Sequence, residues 1–518
     1  MISKILLPFF ICMTLTRPVA SSDFEPNSDF YQIQGYISDG LYSEATIGST
    51  NQTILFSIDT SVPSMIVNDA NSTETLSFNQ SRSKTFENIS IPFNVTTLFD
   101  TTALGYQASD YLNIFTNNNL SLPLQFDLAS SNTIGLRNKN VLEKRSRKIV
   151  LTSSSDSDTS KIAPNVLGLN LEDNPISLLN QLVQNNISST RLFSLYVEDD
   201  VPVIDFGAIN KAKYEGDIYV TPILETSYYM SPSDTSYKYP FVLLTGLSLI
   251  NYDQNIILNI NSQQLSLPTL LDTSSTLSYL PYSLLVDLAS QFGAIYSPEH
   301  SLWIQSCSFQ NVNGSIAFEF HNLTITVPLS NLVIPLIDSN GNTLYFESGD
   351  EACALAFSSS NMRGFSSLGT PFLGATFTTF DYENKMIGLA QRKDSASEDA
   401  LVRVENQIGV AVNATTMLND LKFPPTAVIV PPSPDVTEGY SGASQIISPD
   451  ELLTVSPVVS SIVTQTTSST VSTQAVPTTQ NANAVAITSG PFFEAKASHT
   501  MKLSHSLAVL SALCIFLF

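Results

Sequence analysis

The feature that most constrains this chain is a duplication. Ile54-Leu-Phe-Ser-Ile58 runs directly into Asp59-Thr60-Ser61, and Leu267-Pro-Thr-Leu-Leu271 runs into Asp272-Thr273-Ser274. At a similar distance downstream, each copy has a short element ending in Leu-Gly: Val166-Leu167-Gly168 for the first and Ser367-Leu368-Gly369 for the second. One Asp-Thr-Ser is common in loops and carries no information. Two of them with matching downstream partners describe two copies of one half-domain. Between about Tyr31 and Arg392 the chain is a succession of short runs such as Ser43-Glu-Ala-Thr-Ile-Gly48 and Leu323-Thr-Ile-Thr-Val327, broken by Asn, Ser, Gly and Pro. Their composition and period near two predict an all-β domain with few helices, the best candidates being 174–184 and 283–292.

The ends of the chain set its compartment. Lys4, the apolar run from Ile5 to Leu15 and the small residues around Ala20 and Ser21 have the form of a secretory signal over residues 1–21. At the other end, the apolar run Leu507 to Phe518 is shorter than the roughly 20 residues that span a bilayer. A polar spacer and small residues near Ser489 and Gly490 precede it, as in a glycolipid (GPI) attachment signal removed over residues 489–518. Residues 402–488 are rich in Ser, Thr, Pro and Val and read as an extended, O-glycosylated stalk. The basic and serine-rich stretch 137–161 reads as an exposed insertion, with Lys144-Arg145 as a site for dibasic processing or simply solvated charge.

Cysteine usage agrees with secretion. Cys12 lies in the signal and Cys514 in the tail, so Cys307 and Cys353 are left to pair across a 46-residue separation. In an oxidising compartment such a bridge stabilises by about 4 kcal/mol; the alternative is two buried thiols. N-glycan acceptor triplets recur at Asn51, Asn71, Asn79, Asn88, Asn94, Asn119, Asn186, Asn313, Asn322 and Asn413. A formal net charge of −23 leaves no basic footprint for nucleic acid.

The paired Asp-Thr-Ser loops and Leu-Gly elements resemble those of the pepsin-like aspartic proteases over roughly residues 30–393, most closely the fungal yapsins. Phe193-Ser-Leu-Tyr196, Ile204-Asp-Phe-Gly207, Leu271 through Pro281, Leu368-Gly-Thr-Pro-Phe-Leu373 and Tyr382 through Gln391 carry the same resemblance. It implies a bilobal all-β fold, with lobe 1 over about 30–205 and lobe 2 over about 206–393. It also implies catalysis by Asp59 and Asp272, supported by Thr60, Ser61, Thr273, Ser274 and Ser275. Two carboxylates held close cannot both ionise, so one activates a water while the other donates a proton to the peptide carbonyl. By the same resemblance the partners are peptide or protein substrates, cut at basic residues, a plasma-membrane lipid anchor and cell-wall glucan; the chain is monomeric.

Rival chemistries find no support. Of the four His, His499 and His505 lie at the removed tail, which leaves His300 and His321 for any triad or metal site. There is no His-Glu-x-x-His and no Gly-rich phosphate loop, so no metal and no cofactor is expected.

The family pattern is broken at several places. Ser61 and Ser274 replace the motif glycines, Val62 replaces a hydroxyl, and Ser367 stands in an apolar slot. The flap tyrosine aligns with Thr97 and its tryptophan partner with Ile66, with Phe99 and Tyr106 as substitutes. No long propeptide separates the signal from Phe30. These departures support the rival reading: a weak or inactive homologue serving as a peptide-binding or cell-wall glycoprotein. The symmetry of the two serines points instead to an adapted site.

Overall fold

The computed structural model describes residues 30–417 and Val463–Thr464. Within the first span it omits 39, 71–76, 99–101, 118–119, 134–148, 152–163, 230–232, 252–254, 261–264, 298–300, 339–340, 347 and 394–397. The expected signal, most of the stalk and the anchor segment with Ser489 and Gly490 lie outside the described residues.

The duplication read from the motifs is present as two matching sheets. In the first half, Gln52–Asp59 pairs antiparallel with Leu41–Ile47 and parallel with Asn165–Gly168. The latter pairs antiparallel with Ile66–Asn68, which in turn pairs parallel with Leu122–Thr133. In the second half the same four steps recur. Leu267–Leu271 pairs antiparallel with Phe241–Leu244 and parallel with Ser366–Leu368; Ser278–Leu280 then bridges Ser366–Leu368 antiparallel and Phe357–Ser359 parallel. Alternation in Leu41–Ile47, with Leu41, Ser43, Ala45 and Ile47 buried, shows the period-two signal at work.

A seven-stranded sheet joins the halves, in the order Tyr31–Gln34, Val201–Phe206, Leu192–Glu198, Thr376–Asp381, Met386–Gln391, Ile218–Pro222, Ala414–Thr416. Phe193 of the first half stacks on Phe380 of the second with ring centroids 4.5 Å apart. The helices fall where the apolar spacing placed them, at Leu178–Gln184 and Tyr282–Phe292. Gly293, at φ 61, ends the second in the left-handed conformation that glycine adopts without strain. Cys307 and Cys353 form a disulfide, tying the turn at Cys307–Asn311 to the strand Ala352–Leu355. Among the described residues no helix is long and apolar enough to cross a membrane.

Two expected boundaries move. The folded domain does not end at 393: Leu401–Arg403 pairs with Ala208–Asn210, and Ala414–Thr416 pairs parallel with Ile218–Val220. The segment from 402 that was expected to be stalk is therefore ordered as far as Met417: Val404, Ile408 and Val412 are buried against the joining sheet, and Met417 is buried with its N–H donating to Val220 O. The insertion expected to be exposed over 137–161 is also interrupted. Ile149–Leu151 pairs parallel with Leu336–Asp338 in the second half, and Ile149 is buried, as an apolar triplet of strand composition allows.

Candidate active site

Each aspartate sits where a strand must stop. Asp59 ends Gln52–Asp59 opposite Gly168, and the Leu169 N–H donates to its backbone oxygen at 2.8 Å. The Asp272 N–H donates to Leu368 O at 2.9 Å. The downstream glycines are needed for this close approach. A Cβ on Gly168 would fall on the carbonyl oxygens of Val62 and Ser64, and one on Gly369 on those of Ser275 and Leu277.

The two loops grip each other through buried threonines. Thr60 Oγ1 donates to Leu271 O at 2.7 Å, and Thr273 Oγ1 donates to Ile58 O at 2.8 Å while accepting from Thr60 N–H at 3.1 Å. Leu41 N–H donates to Thr273 O, which ties the first sheet to the second loop as well.

The serines that replace the motif glycines face the carboxylates. Ser61 donates its backbone N–H (2.7 Å) and its hydroxyl (2.6 Å) to Asp59 Oδ1. Ser274 donates the same pair of groups to Asp272 Oδ1, at 3.0 and 2.8 Å. Each added Cβ thus brings a donor rather than a clash. Ser275 does not reach the carboxylate: its hydroxyl donates to Leu277 O at 3.0 Å and its carbonyl accepts from Thr370 N–H, so it holds the turn. Val62, in the place of a hydroxyl, is fully buried with Ile66, Ala103, Ala129 and Val166.

The carboxylates are nearly closed off, Asp59 at 7% and Asp272 at 1% exposure. Burial pushes Asp59 up to about 6, and the negative charge of Asp272 adds to this; the Ser61 donors and the positive charge of Arg363 act against it. Arg363 was not singled out in the sequence. Its guanidinium donates to Asp272 Oδ2 at 3.0 Å and stacks on the Tyr279 ring at 3.5 Å.

Glu87–Thr96 and Thr102–Asn113 form the flap hairpin. Thr97 follows its first strand, and Phe99 lies outside the described residues. Tyr106 supplies a hydroxyl, donating to Gln80 Oε1 at 3.0 Å. Ile66 lies in the apolar cluster against which Phe93 of the hairpin packs, so apolar contact stands at the position aligned with the family's tryptophan. Leu98, near the tip, packs on a second-half cluster that includes Tyr229, Phe241, Leu270 and Phe365. The hairpin thus reaches across from the first half to the second.

Of the glycan acceptors, Asn51, Asn88, Asn94, Asn186, Asn313, Asn322 and Asn413 are exposed and Asn79 is half-buried. Asn71 and Asn119 lie outside the described residues. Among the described residues no group of three or more His, Cys, Asp or Glu is arranged to hold a metal ion.

Residues 41–392 match the family model described as eukaryotic aspartyl protease, and the chain belongs to that family, with its bilobal all-β fold and the class of aspartic-type endopeptidases. Among curated relatives, it is 31% identical over 188 residues to aspartic proteinase yapsin-7 of Saccharomyces cerevisiae, covering 36% of this chain and 30% of that one. It is 25% identical over 390 residues to the probable aspartic-type endopeptidase OPSB of Arthroderma benhamiae, covering 73% and 74%. It is 28% identical over 233 residues to yapsin-3 of S. cerevisiae, covering 44% and 42%. The chain thus aligns with under a third of yapsin-7 and about three quarters of the Arthroderma protein.

Proposed function

We propose that the chain is an active aspartic endopeptidase in which Asp59 and Asp272 share one proton. The observation that carries this reading is the matched donor set: amide and hydroxyl of Ser61 on one carboxylate, amide and hydroxyl of Ser274 on the other. A decayed site has no reason to keep two symmetric serines aimed at two symmetric acids. In the reaction the ionised carboxylate takes a proton from water as the water oxygen bonds to the peptide carbonyl carbon. The protonated carboxyl gives its proton to the carbonyl oxygen, and collapse of the resulting diol passes a proton to the leaving amine as the C–N bond breaks.

The test is hydrolysis of a mixed peptide library at about pH 4 by the secreted domain ending after Met417, with and without a transition-state-mimic inhibitor, beside Ser61→Gly/Ser274→Gly. The natural chain should cleave and be inhibited, and the double glycine variant should be equal or slower. A gain of about tenfold or more in the variant, or no cleavage by the natural chain, overturns the reading.

We further propose, from the terminal segments, that the protein reaches the outer face of the plasma membrane on a glycolipid attached near Ser489 or Gly490 and from there acts on surface proteins, at basic residues as the resemblance to yapsins implies. The exposed acceptor asparagines support the secretory route. A phospholipase specific for glycolipid anchors should release the intact protein from cells. Recovery of peptides from 507–518 in the membrane-bound protein would contradict the anchor.

A further inference from the structure

We propose that Arg363 is a positioning residue that breaks the symmetry of the aspartate pair, holding Asp272 ionised as the base and leaving Asp59 to carry the shared proton as the acid. The inference rests on the dyad reading above and goes beyond it by assigning the two roles.

The symmetry holds on one oxygen of each carboxylate and fails on the other. Both Oδ1 atoms accept two donations from the neighbouring serine. At Oδ2, Asp272 accepts from Arg363 at 3.0 Å, whereas among the described residues no ion pair is made to Asp59. The ion pair is enclosed, with side-chain exposures of 11% for Arg363 and 1% for Asp272. A charge pair so shielded from water is screened far less than one on the surface.

The guanidinium is also built into the second half. Arg363 follows the short turn Ser360–Met362, and both its own N–H and that of Gly364 donate to Ser360 O. Its plane lies on Tyr279, which belongs to the strand bridging Ser366–Leu368 and Phe357–Ser359. The sheet that braces Asp272 therefore also positions the cation.

When two close carboxyls share one proton, a cation touching one of them lowers the energy of its ionised form, and the proton resides on the other. The negative charge then left on Asp272 opposes ionisation of Asp59, in line with the upward push to about 6 that burial begins. Asp272 Oδ2 keeps further acceptor capacity for a water, since a carboxylate oxygen accepts more than one hydrogen bond. Among the described residues, two further titratable groups feel the charge of Asp59: the hydroxyls of Tyr239, which also feels Glu172, and Tyr382. Burial raises both, so they stay neutral through the acidic range. The Tyr382 hydroxyl donates to Leu169 O.

Removing the positive charge should raise both macroscopic pKa values of the pair, because it favours the ionised form of each acid. The experiment is kcat/KM against pH, from about pH 3 to 7, on an uncharged peptide for the natural chain, Arg363→Gln and Arg363→Lys, with Asp59→Asn alongside. Arg363→Gln should move both limbs of the bell upward by about one pH unit, cutting activity on the acid limb by about tenfold. Arg363→Lys should keep the limbs in place.

A profile lowered uniformly in Arg363→Gln with unmoved limbs, or limbs that move equally in Arg363→Lys, overturns the assignment. If Arg363→Gln does not fold, Tyr279→Leu frees the guanidinium from its ring. Upward movement of the limbs in that variant supports the proposal and unmoved limbs overturn it. Full activity in Asp59→Asn would instead remove the dyad reading itself, so the two failures are distinguishable.

Discussion

Replacing Asp59 or Asp272 by Asn is expected to lower peptide hydrolysis by about 10³-fold or more while leaving the protein folded. Proton transfer by a positioned acid or base contributes about 10² to 10⁴ in rate, and either substitution removes one partner of a transfer that needs both. Asn is close to isosteric with Asp and keeps an oxygen to accept from Ser61 or Ser274. The thermal midpoint at about pH 4 should therefore change little for Asp59→Asn, whose side chain is held neutral there by burial and by Asp272. Asp272→Asn removes the enclosed ion pair with Arg363 and should cost more stability. Steady-state hydrolysis and thermal melts on the same preparations check both statements. Near-natural turnover in either variant would show that the pair is not the catalytic centre.

The protein is expected to be more stable in acid than at neutral pH. Burial raises Asp59 and Asp127 to about 6, with the Asp272 charge adding to the first and the Ser64 hydroxyl opposing it in the second. It raises Asp205 to about 7, against the hydrogen bond donated by Gln32. In the unfolded chain these groups return to about 3.9. Between about pH 4 and 7 the folded state therefore binds more protons than the unfolded one, and stability falls as pH rises through that window. Each tenfold difference in proton affinity between the two states is worth roughly 1.4 kcal/mol. Even halved for relaxation and water entry around the buried charges, the three carboxyls together amount to a loss on the order of 5 kcal/mol. Self-repulsion of a chain with formal charge −23 acts in the same direction as its acids ionise.

Denaturant melts between about pH 4.5 and 7.5 should show the fall, and Asp205→Asn should flatten it. Asn retains an oxygen for Gln32 and removes the group with the highest of the three values. Stability that rises toward neutral pH would contradict the account.

What the sequence determined by itself was local and repetitive. Period-two runs specify strands because side chains alternate across a pleat, and the two Asp-Thr-Ser loops with their glycines specify a half-domain used twice. Only glycine lets the bracing strand pass so close to carbonyls such as those of Val62 and Leu277. The disulfide was legible because only Cys307 and Cys353 remain between the terminal segments.

Other features were decided by contacts between segments far apart in the chain. Nothing in Asn361-Met-Arg363-Gly364 marks an arginine meant for an aspartate 91 residues away; that pairing follows from the register that sets Ser366–Leu368 beside Leu267–Leu271 and Ser278–Leu280. The serine hydroxyls could be expected near the carboxylates, but only backbone geometry turned Ser61 and Ser274 toward Oδ1 and Ser275 away to Leu277. Residues 401–417 hold no Ser or Pro and only two Thr, so they already depart from the stalk composition, but nothing in them names a partner strand. They fold because Ala208–Asn210 and Ile218–Val220 present unpaired strand edges beside them, and a short apolar segment gains order only where such an edge and a core to cover already exist.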